Sequence, residues 1–294
     1  GDLTGAYPNP ALAGVIAAGG PIGGSTVVPI ISWDAKGRIT AVSSASIAGA
    51  AIASVRNLRI YAHSTVPNTQ FNVSFDEAVL LDVNNNALVV RPAGPYTVDG
   101  TTSGAGGLDS GTLGANSWFY VWAIVKADGT LAQTLTSLSM TAPLMPPGYT
   151  HKIFLGVRRT LEPSTLELNE QRGATVYKAT GVNDIGFSGQ SGTVAWVAVG
   201  LNSLVPPNAS KVSLLMGLNS AGTRSIGIRG ENVYGAASDY GECASAALAG
   251  TFTGRVFKNV PMAVTQTIYW FAQDTQAIYR LVVLDYTLGN VNAD

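Results

Sequence analysis

The chain has 294 residues, with 17 basic and 18 acidic side chains and a formal net charge of −1 at pH 7. Charged residues make up 12% of the sequence, about half of the share in an ordinary soluble domain, and no tract of lysine or arginine offers a surface for nucleic acid or anionic lipid. The single cysteine, Cys243, excludes an intrachain disulfide and a cysteine-based metal site, and the two histidines, His63 and His151, leave little for zinc or triad chemistry.

Residues 1–54 are rich in proline and glycine at first and then in small apolar side chains. Proline removes a backbone donor and glycine permits positive φ, so we expect no independent core in this part. The pattern predicts either a linker or an extended, strand-like stem that orders only against neighbouring chains. Residues 34–37 (DAKG) predict a tight turn between two short strands. A short helix is expected over residues 43–54.

The uncharged stretches of this part do not predict a membrane span. Residues 39–55 are too short and too rich in small side chains to cross a bilayer as a helix. Residues 3–33 are interrupted by prolines and glycines, and no basic segment precedes them as it would in a signal peptide. Because the sequence begins with Gly1 rather than methionine, we expect it to be a fragment or a processed product.

Residues 55–172 contain short runs in which apolar and polar side chains alternate, as is typical of strands. The run 118–126 is apolar on both faces and predicts a central strand that is covered on both sides. Residues 84–86 (NNN) separate two other runs, and asparagine tolerates the left-handed conformation of tight turns. The remaining predicted strands of this part are 55–62, 78–83, 87–92, 130–136 and 149–157.

Charge is concentrated at residues 161–173 (LEPSTLELNEQRG), and we place a domain boundary there. Strand patterns resume beyond it, with Trp270 expected in the core. The sequence therefore predicts an all-β fold: an extended N-terminal stem (1–54) followed by two β-sandwich-like domains (55–172 and 173–294). The predicted strands of the last domain are 194–201, 211–218, 223–230, 265–273 and 277–286.

The low charge also bears on whether the folded chain associates with copies of itself. Interfaces between obligate copies are depleted of charged residues and resemble a domain core cut in half. We therefore expect the chain to associate with copies of itself. The alternative is a monomer whose neutral surface is covered by serine, threonine and asparagine.

Several segments carry a resemblance to a known family. The opening GDLTGAYPNP (1–10) resembles a motif that recurs in bacteriophage tail-fibre and related virion proteins, and residues 34–40 (DAKGRIT) follow it as they do there. Residues 116–121 (NSWFYV) and 146–150 (PPGYT) are similar to a module of phage tail proteins. The resemblance implies a non-catalytic, intertwined homotrimer in the virion tail. Its N-terminal part would join other tail proteins, and its distal domain would contact the host. From its place near the stem, we also expect Trp33 to act as an interchain plug.

The sequence lacks the motifs of catalysis. Residues 186–190 (GFSGQ) miss the last glycine of a nucleophile elbow, and the glycines of residues 104–107 precede no lysine that would hold a phosphate. His63 and His151 are expected at the surface or in loops. Asp239 and Glu242 flank a glycine turn closely enough for the carboxylate pair of a glycosidase, but turn carboxylates more often cap backbone amides. We expect no enzymatic activity, no cofactor and no metal.

The segment 230–250 is the longest in the last domain without a strand pattern, and recognition concentrates in long loops on rigid scaffolds. It combines two tyrosines with amide and carboxylate groups, which together suit the apolar faces and the hydroxyls of a sugar. We predict a receptor-binding site here; the alternative is a surface loop or an interchain packing segment. The predicted site residues are Glu231, Asn232, Tyr234, Asp239, Tyr240 and Glu242.

The function that these features predict is that of a phage tail-fibre protein, located in the virion tail, that binds a host surface glycan or protein non-covalently. Two other functions stay open. One is a purely structural head-fibre or decoration protein, and the other is a short tailspike that hydrolyses glycans. In none of them do we expect binding to nucleic acid or insertion into a membrane.

Overall fold

A computed structural model describes residues 3–4, 8, 11–12, 19–23, 27–46, 52–130, 132–179, 184–187, 196–230, 246–272 and 278–291. Within these residues every regular element is a strand, and every pair of neighbouring strands is antiparallel, so the all-β prediction is confirmed. No helix of the described residues has the length and hydropathy needed to cross a membrane. The chain divides into two compact units, Gly1–Ala51 and Ile52–Asp294.

The first unit is built from two small antiparallel pairs. The longer pair is a hairpin whose turn is closed by Asp34, because its carboxylate accepts hydrogen bonds from the amides of Lys36 (2.9 Å) and Arg38 (3.0 Å). Gly37 takes a positive φ of 78° in this turn, as the DAKG segment predicted. The strands are β1 (Leu3–Thr4), β2 (Ala11–Leu12), β3 (Val27–Trp33) and β4 (Ile39–Ser46).

The helix expected over residues 43–54 is wrong at both of its ends. Residues 43–46 complete β4 and pair with β3 from Val27 to Ile30, and Ser54 begins the next strand. The small side chains of this stretch suit a helix, but the backbone groups of residues 43–46 are satisfied instead by the ladder with β3. Residues 47–51 lie outside the described residues.

The second unit contains the remaining strands, which form two sheets. In chain order they are β5 (Ser54–Arg56), β6 (Arg59–Ala62), β7 (Gln70–Ser74), β8 (Glu77–Leu81), β9 (Ala87–Val90), β10 (Tyr96–Asp99), β11 (Trp118–Lys126), β12 (Gln133–Ser137), β13 (Tyr149–Leu161), β14 (Thr165–Leu166), β15 (Asn169–Arg172), β16 (Thr175–Lys178), β17 (Asp184–Phe187), β18 (Val197–Gly200), β19 (Ala209–Arg229), β20 (Ala246–Pro261), β21 (Thr267–Ala272) and β22 (Ile278–Leu288).

The smaller sheet has seven strands in the order β12-β11-β13-β8-β5, with β14 beside β13 and β9 beside β8. The larger sheet has eleven strands in the order β10-β7-β6-β15-β16-β22-β19-β21-β18, with β17 beside β22 and β20 beside β19. Buried apolar side chains from both sheets form one hydrophobic cluster, which is the arrangement of a β-sandwich.

The predicted central strand is confirmed as β11. All of its residues between Trp118 and Lys126 are buried, and it lies between β12 and β13. Trp270 is buried on β21, also as expected. The turn between β8 and β9 places Asn85 at a positive φ of 62°, which is the conformation that the asparagine run predicted.

The boundary that we placed between residues 172 and 173 stays a prediction. In the structure these residues lie in the turn of the hairpin that joins β15 to β16, where Arg172 is opposite Thr175. The larger sheet takes strands from both sides of this turn, because β6 pairs with β15 and β22 pairs with β16. Hydrogen bonding is therefore continuous across the hairpin.

Candidate functional site

All residues of the predicted receptor-binding site lie outside the described residues. They are Glu231, Asn232, Tyr234, Asp239, Tyr240 and Glu242. Their role as a binding site stays a prediction. A different set of polar side chains comes together in the described part of the larger sheet.

Four neighbouring strands of the larger sheet place polar and aromatic side chains on one face. Directly opposed residues of an antiparallel ladder share a face of the sheet, so the register defines two rows. The first row runs across β6, β15, β16 and β22 as Arg59, Arg172, Thr175 and Thr287. The second row runs across the same strands as Tyr61, Glu170, Tyr177 and Asp285. We call these eight residues the polar face.

The residues between the two rows point into the core, so the pleat separates the polar face from the sandwich interior. The inward residues are fully buried: Ile60, Gln171, Val176 and Tyr286. Residues 169–172 show this alternation in the sequence, with Asn169 and Gln171 buried and Glu170 and Arg172 facing outward. Sequence reasoning missed the site because it took this charged segment for a domain boundary.

Glu170 holds two arginines on the polar face. Its Oε1 accepts a hydrogen bond from Nε of Arg59 at 2.7 Å and from Nε of Arg172 at 2.7 Å. The hydrogen bond from Arg172, followed by that from Arg59, holds the pKa of the Glu170 carboxyl below its usual range. The same contact raises the pKa of Arg172.

The arginines use only Nε in these contacts. Among the described residues, the terminal amino groups of Arg59 and Arg172 have no hydrogen-bond partner. Arg59 also lies over the ring of Tyr61, 4.3 Å from its centroid, which fixes the plane of the guanidinium. Each arginine thus keeps two amino groups available for an anion in a fixed orientation.

A groove of about 700 Å³ opens beside the arginines at the β15–β16 turn. The turn is tied to the residue directly before β6, because the amide of Gly173 donates to the carbonyl of Leu58 at 2.8 Å. Gly173 has a positive φ of 55°, which the tight turn requires. The groove is lined by Asn57, Leu58, Arg59, Arg172, Gly173, Ala174 and Thr175.

Buried polar groups fix β15 from beneath the polar face. Nη1 of Arg158 donates to the carbonyl of Asn169 at 2.9 Å, and its Nη2 donates to the carbonyl of Glu167 at 3.0 Å. Nε2 of Gln171 donates to the carbonyl of Leu155 in the smaller sheet at 2.7 Å. Burial lowers the pKa of Arg158 to about 10, and burial raises the pKa of Tyr286. Arg158 and Gln171 are inaccessible, so their part is to position β15.

A second cavity, of about 270 Å³, lies on the smaller sheet around Trp122 and Phe154. The two rings pack edge to face with centroids 5.4 Å apart, and Nζ of Lys152 lies 5.3 Å from the centroid of the Trp122 ring. Trp122 is only 6% exposed and Phe154 only 8% exposed. The rings therefore offer little surface for stacking, and the polar face is the better candidate.

The histidines differ in their surroundings. His63 lies in the turn after β6, where its Nδ1 accepts hydrogen bonds from the amides of Thr65 and Val66 at 3.3 Å. His151 lies on β13 and is only 6% exposed, so the expectation of a surface or loop position is wrong for it. It lies opposite Val125 of β11, which is fully buried, and therefore shares the covered face of the smaller sheet. In the described part of the chain no group of three or more histidine, cysteine, aspartate or glutamate side chains is arranged to hold a metal.

No family model matches the chain, and no curated protein matches it. Among solved structures, the tryptic core of a Bacillus thuringiensis Cry1Da variant is similar with a TM-score of 0.23 and 9% identity, over 81% of this chain and 53% of that one. The Bacillus thuringiensis insecticidal crystal protein Cry7Ca1 is similar with a TM-score of 0.20 and 7% identity, over 80% and 52%. The chain spans about half the length of these proteins, and likeness at such scores carries no argument about function.

Proposed function

We propose that the chain is a homotrimeric virion protein of a bacteriophage tail fibre that attaches non-covalently to a receptor on the host surface. The observation that carries the proposal is the hairpin of β3 and β4, which exposes large apolar side chains in the single chain. They are Val28, Ile30, Ile31, Trp33 and Ile39, between 43% and 70% exposed. We call this element the apolar hairpin.

The apolar hairpin needs partners on both of its sides. An isolated two-stranded hairpin is at best marginally stable in water, and contiguous exposed apolar residues mark interaction surfaces. Along β3, Val28 and Ile30 lie on one face, whereas Ile31 and Trp33 lie on the other. A two-fold dimer repeats one patch, but in a three-fold ring each copy meets two neighbours through two different patches. Two apolar faces therefore favour a ring, of which the trimer is the smallest, over a two-fold dimer.

A sequence motif within the apolar hairpin supports the proposed role in a virion. Residues 34–40, which resemble the phage tail-fibre motif, form the turn of the apolar hairpin and the first residues of β4. The segment that resembles the family is thus the one that requires neighbouring copies. A receptor-binding role, rather than a purely structural one, is supported by the polar face, where uncommitted arginine groups and tyrosines share one surface.

The oligomeric state tests the proposal first. Light scattering of the full chain is expected to give about three times the chain mass of 30.3 kDa. The double variant Ile30→Thr/Trp33→Ser removes apolar area from both faces of the apolar hairpin and should lower the mass toward that of a monomer. Val83→Thr is the matched control, since Val83 is 92% exposed on the β8–β9 turn. A wild-type chain that stays monomeric at micromolar concentration would overturn the trimer.

Binding to cells tests attachment itself. We expect the labelled trimer to bind at least one strain in a panel of bacterial hosts. A trimer that binds no strain would instead support a head-fibre or decoration protein. Release of oligosaccharide from host polysaccharide, lost in Asp239→Asn or Glu242→Gln, would support a glycan-hydrolysing tailspike.

A further inference from the structure

We propose that the polar face binds an acidic glycan, whose carboxylate or phosphate group is held between Arg59 and Arg172 and whose adjoining sugar ring stacks on Tyr177. The inference rests on the proposed attachment function and names the chemistry of the receptor. It concerns residues on β6, β15 and β16, and not the loop at 230–250.

The anion site follows from what the arginines leave uncommitted. Arg59 and Arg172 are opposed residues on adjacent strands, so their backbones are about 5 Å apart. Both guanidinium groups donate through Nε to the same oxygen of Glu170, and their terminal amino groups make no hydrogen bond to another of the described residues. Guanidinium amino groups bind the oxygens of carboxylates and phosphates through paired, charge-assisted hydrogen bonds.

Glu170 orients the two arginines but leaves their terminal amino groups without a hydrogen-bond acceptor among the described residues. One carboxylate opposes two guanidinium groups, so this triad keeps a charge of +1. Because the carboxylate and the Tyr61 ring already restrict the side chains, less conformational entropy is lost when an anion binds. The groove of about 700 Å³ beside them, which both arginines line, has room for further sugar units of the glycan.

Tyr177 supplies the surface for the sugar ring. It lies one strand from Glu170 on the same face and is 48% exposed. A tyrosine ring offers a flat apolar surface for the C–H groups of a sugar and a hydroxyl for its oxygens. Thr175 and Asp285, which lie beside Tyr177 on β16 and β22, add acceptors for sugar hydroxyl groups.

The same arrangement disfavours nucleic acid. Binding a phosphate backbone requires a stripe of cations that follows it, whereas the polar face has two arginines together with the carboxylates of Glu170 and Asp285. A strand of nucleic acid would place successive phosphates against these carboxylates. A single acidic group with neutral sugars beside it fits the observed pattern of charge.

The test measures binding of the 294-residue chain to polymers of defined charge. The probes are polygalacturonate, which carries carboxylates, poly(glycerol phosphate), which carries phosphates, and neutral dextran. We expect binding to at least one acidic polymer, weakened by salt, and none to dextran. The variant Arg59→Gln/Arg172→Gln should weaken binding about tenfold or more, and Tyr177→Ser should weaken it without changing the salt dependence.

The matched control is Arg91→Gln, because Arg91 is an exposed arginine that pairs with Glu77 on the smaller sheet. Equal binding by wild type and by the Arg59/Arg172 double variant, or binding of single-stranded oligonucleotide as strong as that of the acidic polymers, would overturn the inference. If wild type and double variant bind host cells equally, the attachment function stands and the inference fails. If the chain binds acidic polymers but no host strain, the inference stands and the attachment function fails.

Discussion

Lys178 and Glu167 form an ion pair that is almost wholly removed from water. Nζ of Lys178 lies 2.7 Å from Oε1 of Glu167, and the two side chains are 0% and 2% exposed. The ammonium also donates to the carbonyl of Leu204 at 2.9 Å. Burial lowers the pKa of Lys178 despite its partner. Removing one member of such a pair leaves an uncompensated charge in the interior, which strongly destabilises the fold.

Replacing Glu167 with glutamine should therefore destabilise the protein by about 3 kcal/mol, because it leaves the Lys178 ammonium buried without its counter-charge. Chemical denaturation measures the free energy of unfolding. The control is Glu77→Gln, which breaks the exposed pair with Arg91 and is expected to change stability by less than about 1 kcal/mol. If the two variants lose the same free energy of unfolding, the buried pair of Lys178 is no more important for stability than the exposed pair.

The pH dependence of the Glu167→Gln variant follows from the sign of the Lys178 shift. In the folded state the pKa of Lys178 is lowered, so over the range between this pKa and its ordinary value of 10.5 the unfolded chain binds the proton more tightly. The free energy of unfolding should therefore rise with pH in that range. Denaturation of the variant at a series of alkaline pH values measures the slope, and Glu167→Gln/Lys178→Met should reduce it.

At the scale of elements, β13 and β15 meet where the two sheets approach each other. Gly156 on β13 has no side chain, and the carboxamide of Gln171 on β15 occupies the space that a Cβ would take. Gln171 is fully buried, and its Nε2 donates to the carbonyls of Leu155 and Gly173. The glycine is thus the reason that a polar side chain can link the sheets.

The substitution Gly156→Ala should cost about 3 kcal/mol, because the added methyl group displaces Gln171 and leaves buried polar groups unpaired. The melting temperature and the denaturation midpoint both report the loss. Gly94→Ala serves as the control, since a Cβ at Gly94 meets no other atom within 4 Å. Equal melting temperatures and denaturation midpoints for the two variants would contradict a tight contact between Gly156 and Gln171.

Whether an element can be predicted from the sequence depends on whether the residues that define it are close together in the chain. The apolar faces of β11 and the asparagine turn after β8 are local patterns, and both predictions are confirmed. The sequence predicts two strands at residues 211–218 and 223–230, but one strand, β19 (Ala209–Arg229), runs through both. The Asn-Ser-Ala-Gly between them lies where the ladder with β20 shifts its register, near Ser220. The polar face depends on pairing Arg59 with Arg172, and alternation alone does not reveal which distant strands become neighbours.

At the scale of the whole molecule, the low charge and the apolar hairpin both bear on the proposed equilibrium between separate chains and a trimer. A folded state that exists only in association becomes more stable as the protein concentration rises. The melting temperature of the wild type should therefore increase with concentration, whereas that of Ile30→Thr/Trp33→Ser should change little. Differential scanning calorimetry over a hundredfold range of concentration measures both. A wild-type melting temperature that does not vary would contradict the association.

The pairing of β16 with β22 has a consequence for biosynthesis. The two strands are hydrogen-bonded neighbours, yet Lys178 and Ile278 are 100 positions apart in the chain. At about 5–20 residues per second, a ribosome needs about 5–20 s to make the intervening segment. During that interval β16 has no β22 beside it, and an unpaired edge invites pairing with other nascent chains. Where several ribosomes translate one message, this delay gives neighbouring unfinished chains time to pair before each sheet closes.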